Sequence, residues 1–145
     1  MIPGLALVRQ TPSGLMVLVD TSVWIRSLAG RSPYMAELDR LLGRDEVAGH
    51  DLVYGELLIG DRGGRSKLCA AYERMHQAGT VPHSDVVAFV RARGLHGLGL
   101  GWIDVHLLAS AVVGRLQLWT ADLSFSAVAK ELGVAYQVPV SKPGD

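Results

Sequence analysis

Four acidic residues interrupt apolar segments of this sequence at positions where a charge is unexpected. Asp20 directly follows the apolar run 15–19 (LMVLV), and Asp122 closely follows the apolar segment 116–120 (LQLWT). Glu56 and Asp104 each break an apolar helical segment, DLVYGELLIG at 51–60 and WIDVHLLASAVV at 102–113. Because a carboxylate beside a core is costly unless something pairs with it, four such placements favour a shared site over coincidence.

Each acid taken singly also has a structural explanation. Asp20 and Asp122 stand where a helix N-cap is expected. Asp104 falls in the first turn of its helix, where the macrodipole favours an acid, and Glu56 could be solvated on a polar helix face. The hydrophobic pattern alone leaves both explanations open for every one of the four.

If the four carboxylates converge, their mutual repulsion raises the pKa of each. A hard divalent cation such as Mg²⁺ or Mn²⁺ removes that conflict, since it prefers oxygen ligands. One or two such ions can activate a water and stabilise the entering and leaving oxygens of a phosphodiester. The residue types therefore predict metal-assisted phosphodiester hydrolysis.

The elements that must position these acids alternate along the chain. Apolar strands are predicted at 15–19, 116–120 and 134–138, with a weak strand at 46–48. Between them the apolar spacing predicts helices at 21–28, 34–43, 51–60, 65–78, 84–93, 102–113 and 122–132. Thr21 or Ser22 could cap the first of these helices. This order predicts a three-layer α/β/α fold with a central parallel sheet, in which Asp20 and Asp122 lie at the carboxyl ends of strands, where ligands bind.

Composition bounds the class of protein. The 145 residues, 49% hydrophobic and 19% charged, fit one folded domain, which we expect at 16–140 between an N-terminal extension (1–15) and a tail (141–145). A net charge of zero means that any nucleic acid must be bound by a local patch. The single cysteine, Cys69, excludes an internal disulfide or a cysteine-based zinc site. With neither a spanning segment nor a secretory signal, we expect a cytoplasmic protein.

Four segments resemble the signature segments of PIN-domain ribonucleases, and most closely those of the VapC toxins of VapBC toxin–antitoxin pairs. They are VLVDTSVWI, YGELLIG, WIDVHLLASA and LWTADLSF, and the resemblance covers about residues 16–138. Each motif alone is weak, but all four in this order and spacing are specific. The resemblance implies a divalent-metal-dependent endoribonuclease that acts as the toxin of a type II pair, with a VapB-like antitoxin as partner and a homodimeric assembly. The alternative is a catalytically silent PIN-like interaction module.

The resemblance also implies roles for individual residues. Asp20 and Asp104 would be direct ligands of Mg²⁺ or Mn²⁺. Glu56 and Asp122 would bind through water, hold a second ion or position the attacking water. Ser22 and Thr120 match hydroxyl positions that orient the acids or contact phosphate, whereas Thr21 is more typical of a cap.

Other residues receive weaker assignments. His106 follows Asp104 by two residues, about 200° around a helix, which favours a structural or edge position. The candidate RNA contacts are Arg26, Arg62 and Arg65, although an ordinary solvated charge is the alternative for each. Trp24, Trp102 and Trp119 are expected in the core or at a dimer surface. The resemblance further implies an antitoxin groove formed by helices 34–42 and 52–60, with Leu41 and Leu58 as test positions.

Overall fold

A three-stranded parallel sheet forms the centre of the molecule, and the computed structural model describes it within residues 15–140. The strands are β1 (Val17–Val19), β2 (Val47–Ala48) and β3 (Gln117–Trp119), in the order β2-β1-β3. Val17 pairs with Val47 on one side and Gln117 on the other. All three residues of β1 are buried, as its continuous apolar run predicts for a strand covered on both faces.

Seven helices flank this sheet in the described residues, so the predicted three-layer α/β fold is confirmed. Their order along the chain matches the predicted alternation, and most ends agree within one or two residues. They are α1 (Thr21–Leu28), α2 (Tyr34–Gly43), α3 (Asp51–Ile59), α4 (Ser66–Glu73), α5 (His83–Arg93), α6 (Trp102–Gly114) and α7 (Leu123–Glu131).

Two predicted elements are shorter than expected. The helix predicted at 65–78 ends at Glu73, because the following backbone bonds to Gly49 instead: Gly49 N–H donates to the His76 carbonyl and Ala78 N–H to the Gly49 carbonyl. The strand predicted at 134–138 reduces to a single bridge between Leu118 and Ala135. Leu118 N–H donates to the Val134 carbonyl and Tyr136 N–H donates to the Leu118 carbonyl, so the segment pairs with β3 around Leu118.

The hydrophobic core lies between the sheet and the helices. It joins the central strands to the inner faces of α1, α3, α6 and α7, and its fully buried side chains include Leu18, Val23, Leu57, Leu108 and Phe125. Leu41 is also in this core, with 1% of its surface exposed, so it cannot serve as the antitoxin contact that the sequence predicts. In the described part of the chain, no helix is both long and apolar enough to cross a membrane.

The predicted chain ends lie almost entirely outside the described residues. Of the expected N-terminal extension at 1–15, only Leu15 is described, and 55% of its surface is exposed. The expected tail at 141–145 is wholly outside the described range.

Candidate active site

Asp20 lies where β1 and β3 end side by side. Its backbone N–H donates to the Trp119 carbonyl at 2.8 Å, which extends the pairing of the two strands by one residue. Its carboxylate is buried, and one oxygen, Oδ2, accepts hydrogen bonds from Ser22 Oγ at 2.6 Å and Thr120 Oγ1 at 2.9 Å. The backbone of Asp20 occupies the N-cap position of α1, yet its side chain makes no capping bond. The carboxylate is therefore oriented by two hydroxyls.

The same two hydroxyls also accept hydrogen bonds from the segment after β3. Ser22 Oγ accepts from Ala121 N–H at 3.0 Å, and Thr120 Oγ1 accepts from Asp122 N–H at 3.1 Å. Each hydroxyl thus donates to Asp20 and accepts from a backbone amide. The result is a fixed junction between the ends of β1 and β3.

The prediction that Thr21 or Ser22 caps α1 is wrong. Helix α1 begins at Thr21, so both residues lie inside it, and both hydroxyls bond to carboxylates instead. Thr21 Oγ1 donates to Glu56 Oε1 at 2.6 Å, while Ser22 donates to Asp20. A carboxylate is a stronger acceptor than a neutral group, which explains the preference.

Glu56 is tied to the site by this bond. It lies in the middle of α3 and is half-buried, and Thr21 connects it to α1, the helix that follows Asp20. Glu56 is therefore not simply a solvated residue on a polar helix face.

Asp104 is held at the start of α6 by the backbone. Its Oδ2 accepts a hydrogen bond from Gly101 N–H at 2.8 Å, which also satisfies the N-cap amide of the helix. The half-buried carboxyl has a raised pKa, because burial disfavours its charge and because Asp20, Asp122 and Glu56 repel it. The Gly101 hydrogen bond acts in the opposite direction. The charges of all four predicted acids therefore act together at Asp104.

Asp122 performs the capping role that was left open for it. Its Oδ1 accepts a hydrogen bond from Phe125 N–H at 3.1 Å at the start of α7, and the residue is exposed. Its charge also acts on Asp104, so the capping role does not exclude a role in the acidic site.

The four carboxylates suit a hard cation by donor type but are not gathered into a ligand cage. Within residues 15–140, no group of three or more His, Cys, Asp or Glu side chains could hold a metal ion as arranged. The hydrogen bonds described above engage only one oxygen of each acid, so every carboxylate keeps a second oxygen for a ligand. Oxygen donors that repel one another are the chemistry that Mg²⁺ or Mn²⁺ stabilises, so the donor set fits such an ion.

The three arginines predicted to contact RNA differ in their surroundings. Arg26 lies one turn beyond Ser22, donates to its carbonyl from Nη1 at 3.2 Å and stands over the ring of Tyr34 at 5.8 Å. Arg65 donates from Nη1 to the Leu57 carbonyl at 2.9 Å, near the end of α3, and is half-buried. Arg62 is exposed in the segment between α3 and α4. Arg26 is the one of the three that contacts a residue of the acidic site.

The aromatic residues follow the sequence prediction in part. His106 packs edge-on against Trp102, with ring centroids 5.1 Å apart, and Trp102 also contacts His83 at 5.2 Å. Burial lowers the pKa of His106, and His83 lowers it further. Trp24 and Trp119 are core residues, whereas 45% of Trp102 is exposed.

One buried polar residue was missed by the sequence reasoning. His50 is fully buried at the N-cap position of α3, where its Nδ1 accepts a hydrogen bond from Leu52 N–H at 3.1 Å. A histidine directly before a predicted helix was the available signal, because its ring nitrogen can accept from the first turn. Its second ring nitrogen lies 3.0 Å from Ser110 Oγ on α6.

The chain is similar to known proteins over most of its length. The model of the PIN domain family matches residues 17–131. Over 127 residues the chain is 42% identical to Ribonuclease VapC32 of Mycobacterium tuberculosis, covering 87% of this chain and 100% of the relative.

Solved structures agree at the level of the fold, since all three are below 25% identity. FitAcB from Neisseria gonorrhoeae has a TM-score of 0.55 at 24% identity, covering 83% of this chain and 95% of that one. VapBC2 from Rickettsia felis, bound to a DNA fragment from their promoter, has a TM-score of 0.52 at 13% identity, with 75% and 89% coverage. PAE2754 from Pyrobaculum aerophilum has a TM-score of 0.51 at 19% identity, with 83% and 84% coverage. With a family match over most of its length and a VapC relative aligned from end to end, the chain belongs to the PIN-domain family and, within it, to the VapC proteins.

Proposed function

We propose that this protein is a divalent-metal-dependent endoribonuclease that acts as the toxin of a type II toxin–antitoxin pair. Its membership of the VapC proteins and the name of its relative, Ribonuclease VapC32, support an RNA substrate. The observation that carries the chemistry is geometric: Ser22 and Thr120 hold the Asp20 carboxylate where β1 and β3 end. Thr21 connects Glu56 to the helix that follows Asp20, and the charges of Asp20, Asp122 and Glu56 act on Asp104. Several negative charges close to one carboxyl destabilise the folded protein, and the same charges favour the binding of a cation.

In this proposal Asp20 and Asp104 hold Mg²⁺, or Mn²⁺ in its place. Glu56 and Asp122 bind it through water, hold a second ion or orient the attacking water. When bound, the cation lowers the pKa of a water molecule and stabilises negative charge on the phosphodiester oxygens.

The remaining side chains of the site position these acids. Ser22 and Thr120 fix the rotamer of Asp20 by occupying Oδ2, so that Oδ1 is directed to the ligand. Thr21 does the same for Glu56, and Gly101 N–H for Asp104. Carboxylates held by such bonds need less reorganisation when the cation and the substrate bind.

Binding of RNA to such an acidic site requires compensating positive charge. Arg26 is the strongest candidate, because the Ser22 carbonyl and the Tyr34 ring hold its guanidinium against a residue of the acidic site, with N–H groups left to donate. Arg62 is a second candidate as an exposed residue. Arg65 is weaker, since one of its N–H groups already stabilises the end of α3.

The proposed partners are a VapB-like antitoxin and a second copy of the chain. Exposed apolar side chains on the first three helices offer a surface for such contacts: Ile25, Leu28, Met35, Leu42, Leu58 and Ile59. With Leu41 in the core, Leu58 is the position to test for antitoxin affinity. The proposal includes a cytoplasmic location, where cellular RNA would be the substrate.

The test is cleavage of RNA by the purified, partner-free protein. We expect cleavage of total cellular RNA with Mg²⁺ or Mn²⁺, none with chelator, and none by the Asp20→Asn or Asp104→Asn variants. Asp39→Asn, which removes an exposed acid from α2, is the matched control and should cleave normally. Cleavage that survives both chelation and the two substitutions would refute the metal mechanism. Absence of cleavage by the wild-type protein would favour the silent interaction module.

A further inference from the structure

The buried polar contact between His50 and Ser110 joins the two helices that carry Glu56 and Asp104. His50 caps α3, and Ser110 lies in the interior of α6 with 2% of its surface exposed. The His50 Nε2 and Ser110 Oγ atoms are 3.0 Å apart. A polar contact in this setting is costly unless every group finds a partner, so its geometry is informative.

The partners of the two residues determine the direction of the bond. Ser110 Oγ donates its single proton to the Gly79 carbonyl at 2.8 Å, so toward His50 it can only accept. His50 Nδ1 accepts from Leu52 N–H and therefore carries no proton. The ring is consequently the neutral tautomer with its proton on Nε2, which donates to Ser110. All three bonds are satisfied together in this tautomer alone.

We propose that the His50–Ser110 hydrogen bond is a brace that fixes α3 against α6 and so positions Glu56 and Asp104 relative to each other. This inference rests on the proposed function. His50 and Ser110 are positioning residues, because neither contacts an acid of the site.

The His50–Ser110 bond lies far enough from Glu56 and Asp104 that a small tilt of either helix would move these acids. Glu56 lies six residues along α3 from His50, or about 9 Å at a rise of about 1.5 Å per residue. A tilt of α3 by about 10° at its start would therefore move Glu56 by about 1.5 Å. Asp104 lies equally far from Ser110 on α6. Misplacement by about 1 Å is enough to lower the rate of an enzyme on the order of 100-fold.

Two substitutions at His50 separate the brace from the helix cap. In His50→Asn, the side-chain oxygen can still accept from Leu52 N–H, but the side chain is too short to reach Ser110. In His50→Gln, the amide can reach Ser110 but is poorly placed for the cap. We therefore expect His50→Asn to weaken Mn²⁺ binding and to lower kcat, each about 10-fold, with KM for RNA unchanged, and His50→Gln to stay within about 3-fold of wild type.

Titration calorimetry with Mn²⁺ alone gives the readout that is independent of activity. Val53→Ala is the control, because it destabilises the same helix in the core without touching the brace. Ser110→Ala tests the same bond from the other side and serves if His50→Asn does not fold. Its effect should not add to that of His50→Asn. A loss of Mn²⁺ affinity in Val53→Ala equal to that in His50→Asn, or unchanged affinity in both brace variants, would overturn the proposal.

A measurement on the wild-type protein needs no variant. The ¹⁵N NMR shifts of the His50 ring identify the nitrogen that carries the proton at neutral pH. A proton on Nδ1 contradicts the brace. A wild-type protein that neither binds Mn²⁺ nor cleaves RNA contradicts the proposed function instead, so the two failures are distinct.

Discussion

Acid should destabilise this protein through the buried His50. The pKa of His50 is lowered from 6.5 to about 4. Burial is the largest cause, Asp51 acts against it by raising the pKa, and His106 adds a smaller lowering. A histidine with a depressed folded pKa gives stability that is complete above the unfolded pKa and is lost as pH falls toward the folded one. The affected window is therefore pH 6.5 down to about 4.

The size of the effect follows from the two pKa values. At pH 5 most unfolded chains carry a proton on His50, while the folded chain carries almost none. The free energy of unfolding should then be about 2 kcal/mol lower at pH 5 than at pH 8, and about 3 kcal/mol lower once pH is below 4. Structurally, an added proton on Nδ1 would face the Leu52 N–H and destroy the cap of α3.

Urea unfolding in chelator, followed by tryptophan fluorescence at pH 8, 7, 6 and 5, measures this loss. His50→Asn is the comparison, since asparagine does not titrate and keeps the cap acceptor. Its stability should fall about 2 kcal/mol less than that of wild type between pH 8 and pH 5. Asp104 has a raised pKa, so its protonation stabilises the folded protein as pH falls. This contribution is the same in both proteins and therefore cancels in the comparison. Equal pH dependence of the two proteins would refute the assignment of a buried, neutral His50.

Further predictions concern the acidic site and its supports. Asp104→Asn should raise the stability of the metal-free protein, since it removes a buried and repelled charge, and should lower RNA cleavage at least about 100-fold; urea unfolding and a cleavage assay check the two effects. Induced without antitoxin, wild type should arrest growth and Asp104→Asn should not; equal arrest by both would contradict the site. Thr120→Val should weaken Mn²⁺ binding about 10-fold, because Asp20 loses one of its two hydroxyl donors; unchanged affinity in calorimetry would exclude that role. Tyr136→Phe should cost about 1 kcal/mol of stability without changing cleavage, because Tyr136 bonds to the buried Glu37, and a change in cleavage would be unexpected.

The fold was predictable where periodicity is strong and burial is two-sided. The apolar spacing specifies α2 and α6 almost to the residue, and the apolar run at 15–19 specifies the last residue of β1. The segments after Glu73 and Gly133 were not predictable, since their backbone bonds are decided by distant partners, Gly49 and Leu118. A local sequence pattern does not show which hydrogen bonds form across the sheet.

The side chains that hold the acids in position were less predictable than the acids themselves. Acidic residues that break apolar segments are visible in the sequence, whereas the bond from Thr21 to Glu56 joins residues 35 positions apart. The same is true of His50 and Ser110, which are 60 positions apart. Partners of buried polar groups are set by tertiary packing, so they emerge only when the helices are in place.

A structural role and a role in the acidic site are compatible for one and the same acid. Asp122 caps α7 and Asp104 binds the N-cap amide of α6, which are ordinary structural roles. Neither role consumes the charge, because each uses one oxygen and leaves the carboxylate ionisable. A helix cap therefore fixes where a carboxylate stands, and Asp20, Asp122 and Glu56 lie close enough to repel the charge of Asp104. In the proposed function, capping and ligand binding are two uses of one side chain. Gly101→Pro removes the N–H that Asp104 accepts, so it should weaken Mn²⁺ binding in calorimetry with all four acids present; unchanged affinity would contradict this use of the cap bond.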